Sequence, residues 1–224
     1  MGGTYAALAD GLSTILWNPA GLACPPGVRL GGGYESRFGG LVVLDHAAGA
    51  VSWGPLGAGV LWVSADLYSM YQLSVAARPL DPLALAGSSK LYQLGQGLQN
   101  ATGVGFDVGA LYKWCSDTQE VTVGLHLRDI GWTPIRWSTQ GVPAVDHAAW
   151  VGRLGAALRL TREYGVWTWS CDAEAALRRP PHPGEENYLA NALQVSLSLG
   201  TEVWVGAVAF RAGMANILTE EGLG

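Results

Sequence analysis

The clearest order in this chain is an alternation of apolar and polar positions with a period of two. In "VTVGLHLRD", Val121, Val123, Leu125 and Leu127 fall on one side of an extended backbone, and Thr122, Gly124, His126 and Arg128 fall on the other. "LGAALRL" sets Leu154, Ala156, Leu158 and Leu160 against Arg153, Gly155, Ala157 and Arg159. "VWTWSCDAEAA" sets Trp167, Trp169, Cys171, Ala173 and Ala175 against Thr168, Ser170, Asp172 and Glu174. "ALQVSLSLG" sets Leu193, Val195, Leu197 and Leu199 against Gln194, Ser196 and Ser198, and "VGFDVGALY" follows the same rule from Val104 to Tyr112. Successive side chains of a strand point to opposite faces, so the pattern predicts strands with one apolar and one polar face.

About eleven such strands are predicted, near 27–35, 40–53, 56–66, 69–79, 82–94, 102–114, 119–128, 149–160, 165–177, 189–200 and 203–213. Strands of soluble proteins cluster near ~5–6 residues, whereas tilted membrane-spanning strands need ~9–11. The predicted lengths favour the second class. Connections near 34–39, 66–70, 114–119 and 161–165 are short, which predicts antiparallel hairpins. Two connections, 130–149 and 178–188, are longer and are expected as loops on one rim.

Composition decides which way the faces point. Charged residues are 14% of the 224-residue chain, against about 25% in an ordinary soluble domain. A soluble sandwich or lipocalin-like barrel shows the same alternation, but it must cover its outside with charge. Here the polar faces are mostly Gly, Ser, Thr and Gln, which suits a polar interior behind an apolar exterior. The expected architecture is therefore an all-β, antiparallel, up-and-down transmembrane β-barrel. Its lumen-facing positions are Thr122, His126, Arg128, Arg153, Arg159, Thr168, Ser170, Asp172, Glu174, Gln194, Ser196 and Ser198. The 10 Trp and 8 Tyr, against 3 Phe, match the aromatic girdles at membrane interfaces. No uninterrupted apolar run reaches ~18 residues, so no spanning helix is expected.

Several function classes are excluded by what the chain lacks. A net charge of −5 without a Lys/Arg run argues against a nucleic-acid partner. Cys24, Cys115 and Cys171 form no CxxC pair, and His46, His126, His147 and His182 are scattered, so no metal site is expected. There is no nucleophile elbow. "GVGFDVG" has the glycines of a nucleotide loop but lies inside an alternating strand, where glycine relieves crowding. Asn100–Thr102 spells a glycosylation sequon by letters only. Asp172 and Glu174 share a face as lumen polarity. Neither an enzyme nor a cofactor is expected.

The first 23 residues break the alternation. "ALADGLSTILWNPAGLA" is rich in small residues and stops at Asn18-Pro19. Pro19 ends a helical turn and pushes Asn18 out of the helical region, freeing the Asn18 side chain to satisfy loose backbone groups. Taken alone, this also fits a plain turn ahead of the first strand. The segment Met1-Gly2-Gly3, Ala7-Leu8-Ala9-Asp10 and Trp17-Asn18-Pro19-Ala20-Gly21-Leu22-Ala23 resembles the N-terminal stretch of the PorV/PorQ and FadL-like outer-membrane barrels. "GFDVGALYKW", "VGLHLRDIGWTPIRW" and "GTEVWVGAVAFRAG" resemble later strands of that family, with Asp129 where Asn is more usual.

The resemblance implies that residues 1–26 form a hatch, centred on Trp17, Asn18, Pro19 and Ala20, inside a barrel made by 27–224. It also implies a leader ahead of residue 1 and further strands after the last one seen. The location it implies is the outer membrane of a Gram-negative-type cell, with the bilayer as partner. Three functions follow from it. One is passage or binding of hydrophobic small molecules. Another is service to protein secretion (type IX) by binding secreted partner proteins. The last is a structural barrel without cargo. Trp132, Trp137 and Trp150, around the 130–149 connection, suit a ligand mouth, a partner grip or an interface anchor.

Overall fold

The computed structural model of the chain describes residues 3–9, 11–23, 26–37, 42–96, 99–138, 144–180 and 192–215. One helical turn, α1 (Thr14–Trp17), and a 3-10 turn (Pro19–Ala23) precede thirteen strands. The strands are β1 (Gly27–Arg37), β2 (Val42–Trp53), β3 (Leu56–Ala65), β4 (Tyr68–Leu80), β5 (Leu83–Gln96), β6 (Gln99–Cys115), β7 (Gln119–Arg128), β8 (Pro134–Ser138), β9 (Val145–His147), β10 (Trp150–Arg162), β11 (Gly165–Leu177), β12 (Leu193–Val205) and β13 (Val208–Met214). The path β1-β2-β3-β4-β5-β6-β7-β10-β11-β12-β13 is antiparallel throughout, each strand beside the next. The fold is thus all-β and up-and-down. Among the described residues β1 and β13 are not paired with each other, so the sheet has two free edges.

Eleven strands make the continuous path; the other two correct the sequence reading. β8 and β9 arise from 130–149, expected as a loop. The cause is the length of β6, 17 residues against 10 in β7. β6 runs past the end of its partner, and its backbone groups there need new partners. Pro134–Ser138 supplies them, with Asn100 opposite Ser138 and Gly103 opposite Ile135. The last hairpin also shifts. Its turn lies at Gly206 (φ +59°), not near 201–202, because Thr201 and Glu202 continue the ladder opposite Trp169 and Thr168. Ser36 and Arg37, expected in a connection, pair with Val43 and Val42 of β2. Of the 178–188 connection, only Arg178–Pro180 lies within the described residues.

The two faces of the sheet differ in both chemistry and exposure. On β7, Thr122, Gly124 and His126 are buried while Val123 and Leu125 are exposed. On β4, Gln72, Ser74 and Ala76 are buried while Tyr71, Leu73 and Val75 are exposed. Every strand from β3 to β12 on the main path bares its outer apolar positions, and the covered face is polar except on β3, where it carries Gly57, Gly59, Leu61 and Val63. What covers it is the N-terminal segment. Residues 3–9 and 11–23 lie against the inner face, from Ser198 on β12, beside Gly3, to Gly31 on β1, beside Leu12.

The two ends of the sheet also differ. β2–β3, β4–β5, β6–β7, β10–β11 and β12–β13 join through tight turns at one end. At the other end β3 and β4 join through Asp66–Leu67, and β7 and β11 lead out through Asp129–Thr133 and Arg178–Pro180. The N-terminal segment enters β1 at Gly27, opposite Ser52, at the tight-turn end.

Candidate functional site

The site is the inner face together with the segment seated on it. Asn18 is its pivot. Asn18 has an extended backbone (φ −165°, ψ 97°), the conformation that a following proline imposes. Its side chain is fully buried and joins three pieces of backbone. Nδ2 donates to the Ala6 carbonyl at 2.8 Å and to the Ala110 carbonyl on β6 at 3.0 Å. Oδ1 accepts the Ala20 N–H at 3.2 Å. Thr14 Oγ1 donates to the Asn18 carbonyl at 2.6 Å, closing the turn. A compact segment without a ladder of its own must satisfy its polar backbone this way.

The wall supplies the remaining partners. Tyr5 and Ala6 both donate their N–H groups to Asp172 Oδ2, each at 2.9 Å. Thr4 Oγ1 and Ser170 Oγ share a hydrogen bond at 2.7 Å. Gln72 Nε2 donates to the Ile15 carbonyl at 2.7 Å, and Ser52 Oγ to the Leu22 carbonyl at 2.6 Å. β2, β4, β6 and β11 are thereby each tied to the segment through a polar side chain or carbonyl on the wall. Apolar contacts fill the rest: Ile15, Ala20, Leu22 and Ala23 cluster with Ala50, Leu61, Met70, Ala76, Ala84 and Leu111.

Wall glycines make room for this contact. A Cβ on Gly57 would run into the Leu22 carbonyl, and one on Gly124 into the Ala6 carbonyl. At Gly109 it would come within 2.5 Å of Asn18 Oδ1, and at Gly155 it would meet Asp172 and Ala6. The glycines of "GVGFDVG" divide the work. Gly109 faces the segment, while Gly103 and Gly105 face the chain at Asp129–Ile135.

An aromatic stack stands at the side. Tyr5 stacks on Trp17 with centroids 5.3 Å apart, and the Arg153 guanidinium sits 4.5 Å above the Trp17 ring. Arg153 also binds Glu174 Oε2, its neighbour across β10–β11, through Nε at 2.8 Å. Arg159 lies 3.8 Å from Glu120, which also holds Lys113 at 2.9 Å, toward the tight-turn end.

The sequence-predicted residues fall as follows. Asn18, Pro19 and Ala20 are buried against the wall, with Trp17 half-buried beside Arg153. Thr122, His126, Thr168, Ser170 and Asp172 are buried on the inner face. Arg128, Arg153, Arg159, Glu174, Gln194, Ser196 and Ser198 share that face and are half-buried. The structure brings Trp17 to Arg153, Asp172 to the Tyr5–Ala6 backbone, and Trp132 to Trp150 edge-on at 5.4 Å. Trp137 stands apart and donates to Asp146 at 2.7 Å. Cys115 and Cys171 are exposed free thiols, and Cys24 and His182 lie outside the described residues. Among the described residues no group of three potential metal ligands forms.

Sequence reasoning missed one group, centred on Asp129. Tyr92 Oη and Thr133 Oγ1 donate to Asp129 Oδ1 at 2.8 and 3.1 Å. Lys90 reaches the same carboxylate. Asp129 (φ +50°), Gly131 (φ +80°) and Trp132 (φ +59°) lie in the left-handed region, which a bulky residue such as Trp adopts only under constraint. Trp132 is held by its Nε1 donation to the Leu177 carbonyl at 3.2 Å. The one available signal was Lys90, a lone cation in phase with Ser88 and Tyr92 within a low-charge strand. Comparison with protein-family models and with curated proteins finds no match for the chain.

Proposed function

We propose that the protein is a FadL-like outer-membrane β-barrel that binds or passes hydrophobic small molecules, with its N-terminal segment as the hatch. The observation that carries this reading is the inversion of the two faces. Leu30, Leu73, Val75, Phe106, Leu154 and Leu199 are each more than half exposed, while Lys90, Asp107, Asp172 and His126 are buried. In water, such an arrangement exposes apolar area on every main strand and is unfavourable by ~25 cal/mol per Å². In a bilayer the same arrangement is the stable one.

Three further features support it. On β6 the bare apolar positions run from Val104 to Trp114, ~33 Å along the strand, which at a tilt of ~40° spans ~25 Å, the height of an outer-membrane apolar band. Trp53, Tyr112, Trp114, Tyr164, Trp167 and Trp169 are exposed toward the tight-turn end, as an interface girdle would be. The two longest connections, between β7 and β10 and between β11 and β12, leave from the same end, as the outer loops of such barrels do.

A hydrophobic cargo is favoured over ions by the inner wall of β2–β5. There Ala48, Val63, Tyr68 and Leu94 are half-buried beside Leu12 and Leu16 of the hatch. The test is expression behind a secretory leader, cell fractionation, and reconstitution into vesicles with a fluorescent fatty acid and a hydrophilic dye. The expected result is recovery in the outer membrane and transfer of the fatty acid in preference to the dye. Soluble, detergent-independent recovery overturns the membrane reading. Membrane recovery with no transfer and a bound secreted protein moves the assignment to the secretion class.

A further inference from the structure

Lys90, Asp107, His126 and Asp129 form a dry cluster on the inner face. Lys90 Nζ is 2.7 Å from Asp107 Oδ2 and 3.4 Å from Asp129 Oδ2, and the three side chains are 3%, 0% and 6% exposed. The other oxygen of Asp107, Oδ1, accepts the Asp129 backbone N–H at 2.9 Å. His126 Nε2 lies 3.6 Å from Asp107 Oδ2, with its side chain 1% exposed. Lys90 sits opposite Gly105 and Asp107 opposite Ser88 on the same face of β5–β6. The two are diagonal neighbours, and Gly105 has no side chain to block the lysine as it crosses.

These positions are those that an amide-forming reaction requires: a nucleophile on its electrophile, a base at the nucleophile and a donor at the developing oxyanion. We propose that Lys90 and Asp107 join in an isopeptide cross-link, formed by the chain itself, that ties β5 to β6. The Lys90 ammonium passes one proton to Asp107 Oδ2, 2.7 Å away, and the freed Nζ lone pair attacks Cγ of the carboxylic acid so formed. The negative charge that develops on Oδ1 is held by the Asp129 N–H. The bond from Cγ to Oδ2 breaks. Nζ gives up two protons in all, one directly to Oδ2 and one through Asp129, and both leave with Oδ2 as water. Asp129 ends as it began, and an ion pair becomes a neutral amide and one water. No oxidant or co-reactant takes part.

Burial supplies the driving conditions. An ion pair withdrawn from water loses much of its solvation, whereas an amide costs far less to bury. A dry site also keeps bulk water from the product. The cross-link stands on this geometry alone and is independent of what the barrel carries.

The test is mass spectrometry of the purified full chain. The intact mass should fall short of the sequence mass by one water. Trypsin should fail to cleave after Lys90, and further digestion with chymotrypsin, which cuts after Tyr92, should leave a branched peptide containing both Lys90 and Asp107. Lys90→Arg keeps the cation but is a poor nucleophile, and its mass should return to the full sequence value. A wild-type chain of full mass, with separate Lys90 and Asp107 peptides, overturns the proposal. So does a water loss that persists in Lys90→Arg. If that variant does not fold, the branched wild-type peptide, present or absent, decides.

Discussion

Gly124 on β7 faces the carbonyl of Ala6 so closely that a Cβ at position 124 would occupy the space of that oxygen. The two residues lie far apart in sequence, yet each dictates the other. The wall needs a residue without a side chain there, and the segment needs its backbone there. The obstacle is backbone, which cannot rotate away as a flexible side chain would. Gly124→Ala should therefore displace the N-terminal segment and cost ~1–3 kcal/mol, the range for overpacking. Gly87→Ala meets nothing within 4 Å and is the control. Proteolysis rates of residues 3–23 in the two variants give the comparison; equal rates would show that the segment is not seated on Gly124.

Asn18 should be the most sensitive residue of the segment. Asn18→Ala leaves the Ala6 carbonyl and the Ala20 N–H without their partner and removes one from Ala110. Buried unsatisfied groups cost ~1–3 kcal/mol each, so a loss of ~2–4 kcal/mol in segment docking is expected. Asn18→Asp keeps the acceptor but cannot donate to the two carbonyls, and should do no better. Fluorescence of Trp17, stacked on Tyr5, would report undocking in detergent titrations.

Asp172 anchors the start of the segment through two N–H donors, from Tyr5 and Ala6. Asp172→Leu removes both charge-assisted bonds and should release residues 3–7 with a cost of ~2–5 kcal/mol, while the ladder of β11 with β10 and β12 persists. Hydrogen exchange resolves the two. Fast exchange at Tyr5 and Ala6 with protected β11 amides is expected; protection retained at Tyr5 and Ala6 would contradict the anchoring.

The outer face should tolerate charge poorly. Leu197→Arg and Val123→Arg should impair insertion into vesicles by ~2–4 kcal/mol if these positions lie near the bilayer midplane. Ser196→Arg, on the half-buried inner face, should be much milder. Thr122 is unsuitable as an inner control, although it shares that face: it is 4% exposed, and an arginine there has no room. Folding yields into lipid vesicles provide the measure, and equal yields for Leu197→Arg and Ser196→Arg would argue for a water-facing exterior.

Much of this was legible in the chain because a strand's side-chain period is a local property. Val123, Leu125 and their like announce a two-faced strand without reference to anything distant, and the short turns announce antiparallel order. Low charge on the polar faces made an apolar exterior readable as well. The broken pattern before residue 24, and Asn18-Pro19 within it, marked a segment that is not a strand. The local consequence of Pro19 was also readable, since it acts on the residue directly before it.

What the tertiary structure alone decided concerns partners far apart in sequence. No local pattern says that Thr4 meets Ser170 or that Asp172 receives the Tyr5 and Ala6 N–H groups. Those contacts depend on how the sheet curves around the segment. β8 could not be read from 130–149, because its reason for existing is the unpaired length of β6 across the sheet. Lys90 looked like one more polar position on a strand. It became the centre of a buried cluster only once the sheet set β5 beside β6 and the left-handed turn at Asp129 brought a second carboxylate to it. Periodicity is written residue by residue along the backbone; burial and pairing are fixed by closure of the chain on itself, which no single stretch contains.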